Sequence, residues 1–146
     1  MKNLVILAAI AILPLKAVIA ADYTVDSSHT YVSFSVNHLG FSTMRGKFNE
    51  QTGSLTFDPT AKKAEVMIEI EASSIDTGHA KRDEHLQSPD FLNAVENPTI
   101  TFMSASDTKD GDKPATITGN LTLLGVSKPV SLTIITMKCA PNPFSN

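Results

Sequence analysis

The chain of 146 residues has one cysteine, no tryptophan and only two tyrosines. With Cys139 alone, no internal disulfide can form, so side-chain packing and strand pairing must hold the fold. The thiol is read as inert and partly buried, the alternative being a cross-link between two chains. No glycine-rich phosphate loop, no G-x-S-x-G elbow and no internal repeat is present, and Cys139 has no histidine close to it in sequence. Phosphate-loop and nucleophile-elbow enzymes therefore lack their sequence support. Basic clusters are missing too: outside the segment 76–93 the densest pair is Lys62–Lys63, in a chain of formal net charge −3. That balance argues against nucleic acid and against anchoring on anionic headgroups.

One long apolar run exists, Leu4 to Leu13, preceded by Lys2 and followed by Pro14, Lys16 and the small or apolar residues Val18, Ile19 and Ala20. It is too short to span a bilayer and has the layout of a secretory signal peptide, so residues 1–20 are expected to be removed and the chain exported to the periplasm. Loss of Lys2 and Lys16 from 12 basic residues leaves the 15 acids in clear excess. Residues 21–146 form one domain by length.

Within that domain hydrophobicity alternates at every second residue. Val32, Phe34, Val36 and His38 share one face, Met44, Gly46 and Phe48 another, then Leu55 with Phe57, Ala64 with Val66, Ile68 and Ile70, Ile100 with Phe102, and Ile117 with Leu121 and Leu123. This is the period of half-buried strands. Extended segments are predicted at Tyr23–Val25, Tyr31–His38, around Met44–Phe48, through Leu55 and Phe57, and at Ala64–Ile70, Thr99–Ser104, Ala115–Leu124 and Val130–Met137, seven of them substantial. The strands near Met44 and Leu55 are expected to form a hairpin, with Gly53 beginning the return. Between the strand ending at Ile70 and the one at Thr99 lies DTGHAKRDEHLQSPDFLN, a polar insertion read as a helical cap, with Thr77 or Asp76 as N-cap and Pro89 as its stop. The pattern predicts an all-β chain, a sandwich or a barrel, and the single helical insertion favours a barrel with a covered mouth.

Four histidines, His29, His38, His79 and His85, invite a metal reading. On a helix starting near Thr77 only His79 and Asp83 share a face, so a third ligand would have to come from His29 or His38, and hydrogen-bonding roles are the simpler assignment. No metal, cofactor or catalytic residue is therefore assigned. Phe91 either gates a cavity or, with Leu86 and Leu92, plugs the end of the barrel.

Three blocks, YTVDSSHTYVSFSVNHLGFSTMRGKF from Tyr23, the cap, and GNLTLLGVSKPVSL from Gly119, together resemble the YceI-like family of exported proteins. The agreement includes Asp26, His29, His38, Leu39, Gly40, Gly46 and Phe48, then Asp83, His85, Leu86, Ser88, Asp90 and Phe91, then Gly119, Leu121, Gly125, Lys128 and Pro129. The resemblance implies a lipocalin-like antiparallel β-barrel enclosing a polyisoprenoid or similar long-chain lipid. Relative to the family pattern the chain stops at Asn146, short of the closing strands, so the barrel is expected to be incomplete at its C-terminus, with open edges through which two copies could pair. In such a barrel the lipid would lie against Val32, Phe34, Val36, Met44, Phe48, Leu55, Phe57, Val66, Ile68, Ile70, Phe91, Phe102, Ile117, Leu121 and Leu123. His79, Arg82 and His85 would meet the headgroup at the mouth. Two alternatives to lipid binding are a sheet-edge interaction or stress protein with a filled core, and an enzyme acting on a lipid headgroup.

Overall fold

The computed structural model describes residues 20–58, 63–104, 106–107, 116–136, 138 and 140–141. The leader expected at 1–20 lies almost wholly outside them, as do Ala115, Met137 and Cys139. Among the described residues ten strands run in chain order: β1 (Ala21–Thr24), β2 (Val32–His38), β3 (Ser42–Phe48), β4 (Gln51–Asp58), β5 (Lys63–Glu71), β6 (Ile75–Asp76), β7 (Thr99–Ser104), β8 (Ser106–Asp107), β9 (Thr116–Leu123) and β10 (Val126–Thr133). The α-helix α1 (Ala80–Gln87) stands between β6 and β7. The chain is all-β with antiparallel pairing throughout, as the alternation predicts.

The strands fall into two sheets. The larger follows the order β1-β4-β5-β7-β9-β10, with β8 also on β5, and the smaller is β2-β3-β6. Among the described residues the sheets do not close into a barrel. The expected hairpin between β3 and β4 does not form. Instead Asn49 and Glu50 pass the chain from one sheet to the other, with Asn49 N–H donating to the Ser74 carbonyl and Glu50 accepting from Glu71 N–H. Alternation alone is blind to this, because it defines a strand's two faces and not its neighbour.

Register confirms which side chains share a face. Leu55 pairs with Val66, Ile68 with Phe102, Phe102 with Leu121, and Ile117 with Leu132. In the small sheet Val32 pairs with Phe48, Phe34 with Gly46 and Val36 with Met44. The two apolar faces meet at one end, where Phe48, Ile70, Ala72, Ile75, Ala94 and Ile100 form the buried core. Leu86 of α1 and Leu92 pack against it, joined by Val32, Phe34, Ile68 and Leu121. Away from that end the cover is uneven: Ala64, Phe102 and Ile117 are also buried, Leu55, Phe57, Val66 and Leu121 are half-buried, and Val36 and Leu123 are exposed.

The last strand begins earlier than expected. Leu124 and Gly125 form a two-residue turn with φ of 53° and 68°, and β10 starts at once with Val126 opposite Leu123. Pro129, expected to precede the strand, lies inside it opposite Asn120. An edge strand tolerates a residue without an N–H, and β10 is an edge among the described strands.

Candidate functional site

The small sheet carries its apolar face outward from the core in steps of two residues. Phe48 is buried and the Phe34 ring stands 5.8 Å from it, centroid to centroid, tilted by 48°. Val36 and Met44 come next, then His38 opposite Ser42. At this outer end a cavity of about 330 Å³ is lined by His38, Ser42, Met44, Arg45, Thr77 and Arg82. Three potential cations border it and no carboxylate does.

Arg82 is brought there by the start of the helix. Gly78, with φ of 73°, turns the chain, and Asp76 Oδ1 accepts its N–H at 2.8 Å. That hydrogen bond, followed by the amide of Asn49, holds the Asp76 carboxyl below its usual range. Since Asp76 closes this turn and Thr77 faces Asp83, neither is the N-cap. His79 takes that place, its ring nitrogen accepting from Arg82 N–H at 3.3 Å. Asp83 Oδ1 accepts from both the N–H and the hydroxyl of Thr77. Arg82 donates from Nε to Thr77 Oγ1 at 2.7 Å and from Nη2 to the Thr77 carbonyl at 2.8 Å. The guanidinium is thus oriented by two neutral acceptors, and among the described residues no direct ion pair compensates its charge. A charge so held favours an anionic or strongly accepting group in the cavity.

Of the three residues expected at the headgroup, Arg82 alone lines this cavity. His79 caps the helix. His85 lies 3.4 Å from Asp90 Oδ2 and its ring meets Phe91 edge-on at 4.9 Å. Phe91 stays 47% exposed there, while Leu86 and Leu92 supply the apolar contact with the core. His29 pairs with Asp26 at 2.8 Å, and among the described residues no three His, Cys, Asp or Glu side chains gather as a metal site.

Sequence reasoning missed Ser42, Arg45 and Thr77 as cavity residues and did not give His38 a binding role. The signal was present for His38, which shares the period-two face of Phe34 and Val36. Lys128 entered the sequence reading only through the family pattern, without a place on the sheet. Register sets Lys128 opposite Leu121, on the apolar side of the large sheet with Val126, Val130 and Leu132. Lys128 is the one charged residue on that side among the described strand residues of the sheet.

The model of the YceI-like domain matches residues 23–143. A UPF0312 protein of Pseudomonas aeruginosa (strain LESB58) is 50% identical over 118 residues, covering 77% of this chain and 60% of the relative. Protein YceI of Escherichia coli O157:H7 is 49% identical over 119 residues, covering 78% of this chain and 61% of the relative. The chain therefore spans about three fifths of the length of these relatives. Among solved structures, BcnA of Burkholderia cenocepacia superposes with a TM-score of 0.72 at 24% identity, covering 80% of this chain and 73% of that one, a likeness of fold. The domain match, the two relatives of near one-half identity and the shared fold agree: the chain belongs to the YceI-like family.

Proposed function

We propose that this protein binds a long-chain isoprenoid-type lipid in the periplasm, to carry, store or sense it, and has no catalytic role. The hydrocarbon would lie along the apolar faces of the two sheets, over Phe34, Val36, Met44, Leu55, Phe57, Val66, Leu121 and Leu123. The polar head would sit between His38, Arg45 and Arg82. One observation carries the reading: the apolar face of β2 and β3 runs without interruption from the buried Phe48 to a cavity bordered by cations. A filled-core protein would cover that face, whereas here most of it is half-buried or exposed.

Magnitudes divide the labour. Each methylene removed from water contributes about 0.8 kcal/mol, so a tail covering ten of them nominally outweighs one charged hydrogen bond at about 1.5–3 kcal/mol. The apolar face would supply affinity and the cavity would select the head. Membership of the YceI-like family supports the same reading. Export rests on the leader pattern of residues 1–20, and N-terminal sequencing of protein recovered from the periplasm checks it. Among the described strands β2 and β10 are edges, and they offer a pairing surface for a second copy, which light scattering checks.

The deciding experiment is organic extraction of the purified protein followed by mass spectrometry. A stoichiometric long-chain lipid is expected, and its absence from protein purified without detergent would overturn the proposal.

A further inference from the structure

The tip of the β2–β3 hairpin is apolar and bare. Leu39 is 79% exposed and Phe41 90% exposed. Solvent-facing tips ordinarily carry polar turn residues, and the two residues at a turn with positive φ are ordinarily Asn-Gly or Asp-Gly. Here Leu39 and Gly40 take φ of 55° and 79°, and Phe41 N–H closes the turn on the His38 carbonyl at 3.0 Å. Asn37 Oδ1 adds a second bond, accepting from Gly40 N–H at 2.7 Å. A leucine is thus held in the left-handed region, which a leucine resists, and it presents its side chain to water.

The charge of this hairpin is unlike that of the rest of the chain. From Ser27 to Asn49 there is no Asp or Glu, while Arg45 and Lys47 are present along with His29 and His38, in a chain whose net charge is −3. Lys47 is opposed by Asp76 in register. Arg45 has no such carboxylate opposite it, being paired with Ser35, and it borders the cavity with His38 and Arg82 immediately behind the tip. An apolar tip backed by cations is the arrangement that inserts shallowly at a membrane surface: large apolar side chains enter the acyl boundary and basic groups lie at the phosphates.

We infer that the Leu39–Phe41 tip is a docking element for an anionic phospholipid bilayer, with Leu39 and Phe41 entering the interface while Arg45 and Arg82 face the headgroups. Whole-chain composition argues against an anionic surface as partner. The fold alters that conclusion by gathering Arg45, Arg82 and His38 at one place. The inference stands on the hairpin and on Arg82 beside it, and not on a lipid within the sheets. Whether a lipid also lies along the sheets is read separately by extraction.

Because the chain has no tryptophan, Phe41→Trp creates a single tryptophan reporter at the tip, excited selectively over the two tyrosines. Vesicles of phosphatidylglycerol and phosphatidylethanolamine should shift its emission to the blue, and vesicles of phosphatidylcholine should do so weakly. In co-sedimentation with the same anionic vesicles, Leu39→Asn combined with Phe41→Ser should lower binding about tenfold or more. Leu39→Asn installs the preferred turn pair, so the hairpin remains folded and the loss reports the missing apolar groups. Arg45→Gln should weaken binding to the anionic vesicles alone, and added salt should have the same effect. An unshifted emission, or equal co-sedimentation of the double variant and the parent chain, would overturn the inference.

Discussion

The ring of Phe34 lies against the backbone of Gly46, its cross-strand partner, in the space where any other residue would put a Cβ. A methyl there would overlap Phe34 Cζ and stand 2.9 Å from Thr77 Cγ2. Gly46 therefore sets how closely the aromatic ring and the β6–α1 connection approach one another. Gly46→Ala is expected to lower stability by about 1–3 kcal/mol, the usual penalty for overpacking, in chemical denaturation. Adding Phe34→Ala should make the combined loss smaller than the sum of the separate losses, since the clash is then relieved.

A carboxylate on the apolar face tests the lipid reading. Phe34→Asp is expected to abolish co-purifying lipid, because an unpaired charge would face hydrocarbon. Arg82→Ala should reduce it severalfold, the loss corresponding to about 0.5–3 kcal/mol for one headgroup bond. Extraction with quantitative mass spectrometry reads both. Undiminished retention by the two variants would count heavily against a lipid on this face.

Gln51 is 4% exposed and donates from Nε2 to the carbonyls of Ser27 at 3.1 Å and Thr30 at 2.7 Å. It fastens the β1–β2 loop to β4. Gln51→Leu keeps the volume and removes both donations, which leaves two loop carbonyls to find water. A stability loss of about 1–3 kcal/mol is expected, measured by the denaturation midpoint, with faster amide exchange in the loop.

Asp26 organises that same loop. Its carboxylate accepts from Ser28 Oγ at 2.6 Å and Ser28 N–H at 3.0 Å, and His29 Nδ1 lies 2.8 Å from the other oxygen. These bonds, led by the Ser28 hydroxyl, hold its pKa down from 3.8 to about 2. A folded-state pKa below the unfolded value means that this stabilisation is complete above about pH 4 and is lost as pH falls through about 2. Asp26→Asn should therefore be less stable than the parent at neutral pH. The difference should shrink between pH 4 and pH 2, as followed by thermal melts.

The faces of the strands were legible in the sequence, and their partners were not. Val32, Phe34, Val36 and His38 stand on one face as their spacing requires, and Leu55, Val66, Ile68 and Phe102 share another. The passage of the chain from β3 to the other sheet was hidden, because Asn49 and Glu50 look like an ordinary short turn and their true partners, Ser74 and Glu71, lie more than twenty residues away. The helical cap was visible as a polar insertion, but its first residue was not, since Asp76 and Thr77 are both favoured N-caps and a histidine is not. Only the turn at Gly78 assigns the role to His79. For the candidate site, Arg82 was expected at the mouth from its charge, and it lines the cavity. Arg45 escaped because it belongs to the opposite face of its strand, beside Ser35, and reaches the cavity from the side.

The pairing of β1 with β4 encloses the whole of β2 and β3 in sequence. The strand pairs β2–β3 and β4–β5 each join neighbours in sequence, whereas Ala21–Thr24 must find Ser54–Phe57 across an intervening excursion of some thirty residues. Assembly should accordingly begin with the nearby hairpins and end when the N-terminal strand clamps onto β4, so the long-range step governs the folding rate. Weakening that clamp would therefore chiefly slow folding and leave the hairpins as the persistent structure.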